Sequence, residues 1–341
     1  MKRWSKRPEG SNWGDFGDED ELGKLNLITP DIRKAALATA QEGLVFPLSL
    51  PLDLPGGTEL IPSRYPPQLR ATHRANGQVN FNYAFSRDDP QCCDVVSDDV
   101  LTLCLQYSTQ WDSLAHWGQE FDADQDGHAE IVYYNGYRAG QEVLGPTGPD
   151  SPCQARRLGI DKVAETGIQG RGVLVDLVAR HGHAFVRVGY DDLMRTLDQQ
   201  GADVRTGDLL CLYTGWADLV LEMNGTPDVA RLRTACAVLD GSDRKLLQWI
   251  SDSGIVAICA DNLAVESLSF GGRITGGHRH SKFPLHEHCL FKQGILLGEM
   301  WHFGPLAQWL RAHGRSHFLL TAPPLRLPGA VGSPCMPVAT V

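Results

Sequence analysis

Residues 208–262 read DLLCLYTGWADLVLEMNGTPDVARLRTACAVLDGSDRKLLQWISDSGIVAICADN and carry the clearest indication of the fold class. This segment begins and ends with short apolar runs, DLLCLYTGW and GIVAICADN, each closed by polar residues or glycine. Such runs, bounded by turn residues, indicate buried strands. Between them, DRKLLQWISDSG places Leu246, Leu247 and Ile250 at helical spacing. The segment therefore predicts strands and a helix in alternation, which is typical of an α/β protein.

The same alternation continues on both sides of this segment. GVLVDLVARHG at 172–182 and the helical pattern YDDLMRTLDQQG at 190–201 precede it, and GILLGEMW at 294–301 follows it. Neither an internal repeat nor a linker is evident in the sequence. We therefore predict a single domain over residues 1–341, with an N-terminal arm over about 1–25 and an extended, proline-rich C-terminal tail over about 320–341.

The amino-acid composition argues against several classes of protein. The 341 residues carry a net charge of −10 without a basic stripe, which argues against a nucleic-acid partner. No apolar run approaches the roughly 20 residues of a membrane span, and the N-terminus does not resemble a secretory signal. The nine scattered cysteines favour reduced thiols over a disulfide framework. We expect a cytoplasmic protein that acts on a small molecule, without a membrane or nucleic-acid partner.

Residues 101–116, LTLCLQYSTQWDSLAH, contain the strongest chemical pattern. The alternation of apolar and polar residues predicts a strand over 101–112, with Trp111 on the core face and Asp112 on the polar face. His116 follows four residues after Asp112. A carboxylate and an imidazole placed in this way can bind a divalent metal. The alternative is a solvated strand face that runs into a surface turn.

The C-terminal third is rich in histidine. Five of the chain's twelve histidines lie close together: His278, His280, His286, His288 and His302. His286 is the best candidate for a functional role, because it begins a short helical segment after Phe-Pro-Leu. Glu299 ends the apolar strand GILLG, where a carboxylate needs a counter-charge. A bound metal and a structural salt bridge both satisfy that need.

Two weaker patterns favour structural interpretations. DADQDG at 122–127 imitates the start of an EF-hand loop, but Tyr133 stands where that loop needs a bidentate glutamate, so we expect a polar surface loop. Asp261, Asn262 and Glu266 follow the strand VAICA. They could support metal ligands, but a structural role is favoured.

Taken together, these residues resemble the cyclase family of metal-dependent hydrolases, which includes bacterial kynurenine formamidase and isatin hydrolase. The family signature His-x-Gly-Thr-His-x-Asp-x-Pro-x-His has the same spacing as residues 106–116. Other similar segments, from SNWGDFGDEDELGKLNLITPDIRKAA to PLHEHCLFKQGILLGE, extend the resemblance over about residues 12–310. It implies a swivelling β/β/α domain, with a mixed sheet and flanking helices, assembled as a homodimer or homotetramer.

The chain departs from the signature at its metal-binding positions. Glutamine replaces histidine at 106 and 110, and Ser108 and Leu114 replace the signature glycine and proline. An amide oxygen is a weaker zinc ligand than an imidazole, so the first of the two metal sites of such members should be weak or absent. The residues of the second site are present. We expect one zinc or manganese ion there, with the ligands Asp112, His116, His286 and Glu299.

The resemblance also implies roles around that ion. Gln106 and Gln110 would face the substrate or a bound water, or act as weak ligands. His116 could move a proton, and Glu299 could orient the water instead of binding the ion. Trp13 and Trp216 are candidate pocket walls.

The expected activity is hydrolysis of an amide, formamide or lactam C–N bond through a metal-activated water. Two alternatives remain open: an ester or lactone hydrolase on the same site, and a member that has lost catalysis and binds a ligand.

Overall fold

The computed structural model describes residues 3–148, 151–267 and 280–341. In these ranges the strands are β1 Val45–Pro47, β2 Gln68–Ala71, β3 Tyr83–Ala84, β4 Val95–Val96, β5 Asp99–Thr102, β6 Gln110–Asp112, β7 Gln119–Phe121, β8 Glu130–Val132, β9 Val143–Leu144, β10 Gln154–Ala155, β11 Gln169–Asp176, β12 Val186–Val188, β13 Leu209–Tyr213, β14 Ala237–Leu239, β15 Ala257–Ala260, β16 Leu296–Glu299, β17 His317–Thr321, β18 Gly332–Pro334 and β19 Val338–Thr340.

The α-helices of the same ranges are α1 Pro30–Leu37, α2 Ile160–Thr166, α3 Leu177–His181, α4 Tyr190–Gln200, α5 Trp216–Met223, α6 Val229–Thr234, α7 Arg244–Asp252, α8 Pro284–His286 and α9 Gly304–Ala312. A π-helix, Glu287–Gln293, continues α8, and short 3₁₀ segments lie at Gly23–Leu27, Phe85–Arg87 and Tyr134–Gly136. No helix within the described ranges is both long and apolar enough to cross a membrane.

A mixed sheet of nine strands forms the centre, in the order β1-β19-β17-β11-β13-β15-β16-β6-β18. The four strands from β11 to β16 are parallel to one another, and the strands on either side are antiparallel. β13 and β15 are buried throughout, as expected for parallel strands covered on both faces. The α/β class predicted from the four apolar runs is confirmed.

The strand predicted over 101–112 is interrupted, and this prediction was wrong. β5 ends at Thr102 and pairs with β2 in an exposed ribbon, whereas β6 begins only at Gln110 in the central sheet. Between them, Tyr107 and Ser108 donate side-chain hydrogen bonds to the carbonyls of Gly57 and Pro51. These contacts to a distant loop replace the strand ladder. Trp111 is fully buried, as predicted.

Both ends of the chain pack on the body of the protein. In the N-terminal arm, Trp13 is fully buried, and its indole N–H donates to the carbonyl of Phe291 at 2.7 Å. At the C-terminus, β18 forms one edge of the central sheet, and β19 lies near the other edge, between β1 and β17. β18 lies beside β6, so the tail helps to position Asp112.

Helix α1 provides a local test of the structure. Thr29 caps it by accepting a hydrogen bond from the backbone N–H of Ile32 at 3.2 Å, and Pro30 occupies its first turn. We expect Thr29→Ala to lower the free energy of unfolding by about 1 kcal/mol, because one helix N–H loses its acceptor. Chemical denaturation measures this change. Thr29→Ser keeps the acceptor and is the control, and equal losses in the two variants would contradict the assignment of the cap.

Candidate metal centre

The pairing of β6 with β16 brings two acidic side chains together. Glu299 lies opposite Gln110 in the register, and Asp112 lies two residues further along β6 on the same face. The Gln110 amide donates to Glu299 Oε2 at 3.0 Å and to Asp112 Oδ1 at 3.4 Å. All three side chains are almost completely buried. The sheet thus holds two carboxylates around one amide.

Helix α8 supplies an imidazole to the same place. His286 Nε2 lies 3.2 Å from Glu299 Oε1, and His286 Nδ1 lies 2.8 Å from Glu266 Oε1. Glu266 also accepts the backbone N–H groups of Leu285 and His286. It therefore fixes both the start of α8 and the orientation of the His286 ring. This positioning role is more specific than the structural role expected from the sequence.

Electrostatics in the cluster follow from burial and from pairing. Burial lowers the pKa of His286, but hydrogen bonds to Glu266 and Glu299 outweigh it and raise the pKa to about 10. Burial raises the pKa of Asp112 to about 6, although His116 and His286 oppose the shift. The buried carboxylates of Glu266 and Glu299 thus favour a positive charge on His286, and burial favours the neutral form of Asp112.

His116 is placed at the more open side of the cluster. Its Nε2 lies 3.8 Å from Asp112 Oδ1, and its side chain is 19% exposed. Burial lowers the pKa of His116, and the opposing effect of Asp112 is smaller. His116 is therefore neutral near pH 7 and available to accept a proton or to bind a metal.

The donor set fits a divalent cation. Ligand atoms of Asp112, His286 and Glu299 all lie within 4.8 Å of one another, and Asp112 Oδ2 is buried without a hydrogen-bond partner. Two carboxylates and an imidazole suit zinc or manganese. Gln110 Oε1 is also buried and unpartnered, so it offers one further, weaker ligand or an acceptor for water.

Comparisons with known proteins identify the family. A family profile described as a putative cyclase matches residues 47–267. The solved structure of a novel cyclase is 31% identical, with a TM-score of 0.74, and the alignment covers 97% of each chain. The chain belongs to the cyclase family. Among curated proteins, the search found no match to this chain.

More distant solved structures share the fold. Isatin hydrolase A from Ralstonia solanacearum is 16% identical, with a TM-score of 0.55, over 91% of this chain and 97% of that one. Isatin hydrolase A from Labrenzia aggregata, solved with benzyl benzoate, is 12% identical, with a TM-score of 0.53, over 87% and 93%. These likenesses extend the predicted cyclase fold over most of the chain.

Other histidines of this cyclase-family chain lie elsewhere. His288 faces away from His286 and contacts Ser251 Oγ at 3.0 Å, and burial lowers the pKa of His288 to about 4. His302 contacts Asp218 at 3.0 Å. His280 is exposed, and His278 lies outside the described residues. Of the described members of the histidine-rich segment, the structure thus brings only His286 to Asp112.

The two tryptophans expected as pocket walls are packed in cores instead. Trp13 stacks edge-on against Phe291, at 5.1 Å between ring centroids. Trp216 is 2% exposed and donates to the carbonyl of Leu232. It lines a cavity of about 30 Å³ behind Glu266, which has room for water but not for a substrate. A tryptophan side chain has an apolar ring and one polar N–H group. The sequence did not reveal that each indole N–H would donate a hydrogen bond to a buried carbonyl, which allows both rings to be buried.

Trp117 is an aromatic neighbour of the cluster that sequence reasoning missed. Its ring lies 5.1 Å from the His286 ring and 5.4 Å from that of Phe283. The signal was its position directly after His116. These two aromatic rings pack on His286 and exclude water from one side of the cluster.

A second acidic group lies in the 122–130 loop. Asp122, Asp124 and Glu130 could together hold an ion. Arg138 already pairs with Asp124 at 3.1 Å and with Glu130 at 2.6 Å, so this partly exposed group has a counter-charge of its own. The loop is consistent with the polar surface turn expected from the sequence.

Proposed function

We propose that this protein is a metal-dependent hydrolase that cleaves an amide, formamide or lactam C–N bond of a small molecule. The observation that carries the proposal is the convergence of Asp112, His286 and Glu299 from three separate elements. In this proposal Asp112, His116, His286 and Glu299 hold one zinc or manganese ion. When bound, a divalent ion supplies Lewis acidity, which polarises a carbonyl oxygen and acidifies water.

The side chains of the chain do the remaining work. When it is not bound to the ion, His116, neutral and partly open to solvent, accepts the proton from water and passes it to the leaving nitrogen. Glu266 keeps His286 oriented through the 2.8 Å contact to Nδ1. Gln110 holds the Asp112 and Glu299 carboxylates at a fixed separation. Trp117 and Phe283 limit access of water from the side of His286.

A panel of matched substrates tests the reaction class. We expect turnover of lactams and formamides, loss of that turnover with a chelator, and recovery on addition of Zn²⁺ or Mn²⁺. Hydrolysis of only the matched lactones and esters would replace the proposal with the ester-hydrolase alternative. Turnover that a chelator leaves unchanged would contradict metal dependence.

Size-exclusion chromatography with light scattering tests the homodimer or homotetramer that we also propose.

Metal affinity should depend on pH in a defined direction. Burial raises the pKa of Asp112 to about 6, and hydrogen bonds to Glu266 and Glu299 raise that of His286 to about 10, so protons on both groups compete with the metal as the pH falls. We expect the affinity for Mn²⁺ to fall as pH is lowered from 7 to 5, by up to about tenfold per pH unit for each proton displaced. Calorimetric titration at several pH values measures this. An affinity that stays constant over the range would contradict the assignment of Asp112 as a ligand.

A further inference from the structure

Arg64 is a half-buried arginine. It lies on a loop that is hydrogen-bonded to the segment immediately before β6. Its Nη1 donates to the carbonyl of Gln106 at 2.7 Å. The neighbouring attachments are the Tyr107 hydroxyl on Gly57 at 2.9 Å and the Tyr65 N–H on Cys104 Sγ at 3.2 Å. The position of Arg64 is therefore fixed relative to the strand that carries Gln110 and Asp112.

The guanidinium of Arg64 has unused hydrogen-bonding capacity. It makes one hydrogen bond and no ion pair with any carboxylate that the structure describes. An arginine offers five N–H donors in a planar fork. Other arginines with largely buried side chains each contact a carboxylate, namely Arg3, Arg138, Arg171 and Arg180. Arg64 therefore keeps donors that are available to a ligand.

Gln106 provides a second donor on the segment that precedes β6. Its Nε2 is buried and has no hydrogen-bond partner. A Cβ placed on Gly332 would lie 2.4 Å from this nitrogen, and Gly332 is the register partner of Asp112. The free amide N–H group thus lies against the strand that borders the carboxylate cluster. The Arg64 guanidinium and the Gln106 amide NH2 group are both hydrogen-bond donors, which suits an anion.

The net charge of the acidic cluster also favours a cation that binds an anionic ligand. Asp112, Glu266 and Glu299 bring three negative charges, which exceed the charge of one divalent ion, so an anionic ligand entering here needs an additional cation. Arg64, anchored to the carbonyl of Gln106 four residues before Gln110, supplies that cation.

We propose that Arg64, assisted by the Gln106 amide, binds a carboxylate group carried by the substrate, so that the enzyme acts on small carboxylic acids that contain the scissile bond. This assignment rests on the proposed hydrolase function and specifies its substrate class. A bidentate arginine–carboxylate contact gives both affinity and orientation. It would hold the scissile carbonyl at a fixed distance from the carboxylate cluster.

The test uses N-acetylglycine and its neutral isostere N-acetylglycinamide, which both contain an intact amide. They are titrated into the full-length protein, once after chelation and once loaded with Mn²⁺. We expect wild type to bind N-acetylglycine at least about tenfold more tightly than the neutral probe. Arg64→Gln should abolish the difference, and Arg64→Lys should retain part of it. Arg70→Gln, an exposed arginine of β2 that bonds only to Gln68, is the matched control.

Equal binding of the two probes by wild type, or an unchanged preference in Arg64→Gln, would overturn the assignment. Thermal denaturation of each variant excludes misfolding as the cause of lost binding. Failure of the proposed hydrolase function would be seen separately, as absence of Mn²⁺ uptake. The titrations on chelated protein would still decide the role of Arg64, because they need neither metal nor turnover.

Discussion

Asp112→Asn should abolish stoichiometric metal binding and lower kcat/KM by at least about 10³-fold, a loss of about 4 kcal/mol in transition-state stabilisation. Asp112 lies between the other groups: Gln110 donates to it, and His116 lies 3.8 Å away. An asparagine keeps the size but removes the anionic ligand. Because the wild-type carboxylate is fully buried, the substitution should leave stability unchanged or raise it. Metal content, kinetics and thermal denaturation measure the three effects.

Asp122→Asn is the matched control for this variant. Asp122 belongs to the partly exposed 122–130 acidic loop, where it accepts backbone N–H groups of Asp126 and Gly127. The same chemical change there should alter neither metal content nor kinetics. An Asp112→Asn protein that still binds one equivalent of metal and turns over within a few-fold of wild type would refute the role of Asp112.

Glu266→Gln should weaken metal affinity by about 10- to 100-fold without removing any direct ligand. The Glu266 carboxylate accepts from His286 Nδ1 at 2.8 Å and from the backbone N–H of Leu285 at 3.1 Å. Glutamine can replace one acceptor oxygen, but its amide opposes the other donor and it carries no charge. The imidazole becomes a poorer and less well-oriented ligand. Calorimetric titration with Mn²⁺ measures the change.

Glu287→Gln separates this effect from a general change in charge. Glu287 follows His286 directly, but its carboxylate pairs with Lys292 at 3.0 Å. This control should bind Mn²⁺ as wild type does. Equal losses in the two variants would show that net charge, and not the orientation of His286, governs affinity. A wild-type affinity in Glu266→Gln would remove the positioning role.

The central sheet was predictable because its strands are continuous apolar runs. Burial on both faces of β13 and β15 demands such runs, and their boundaries are visible as glycine and polar residues. The order of the strands was not predictable, since an apolar run does not specify its neighbour. The same applies to the pairing of Glu299 with Gln110, which depends on the register between β16 and β6.

The residues that meet at the candidate site could be predicted from the sequence, but the contacts that support them could not. Asp112, His286 and Glu299 followed from spacing and from the family resemblance, and the structure brings them together. The contact from Glu266 to His286 spans twenty residues and depends on the path of the intervening chain. The break after Thr102 was also hidden, because hydrogen bonds to a loop fifty residues away outweigh a favourable strand pattern.

Crystals of the protein soaked in Mn²⁺ show by anomalous scattering whether the buried cluster binds a metal ion. We expect one strong peak bound by Asp112, His286 and Glu299, at roughly 2.0–2.2 Å from their ligand atoms. Saturating Mn²⁺ with no peak at these side chains, or with a peak only in the 122–130 acidic loop, would contradict this expectation.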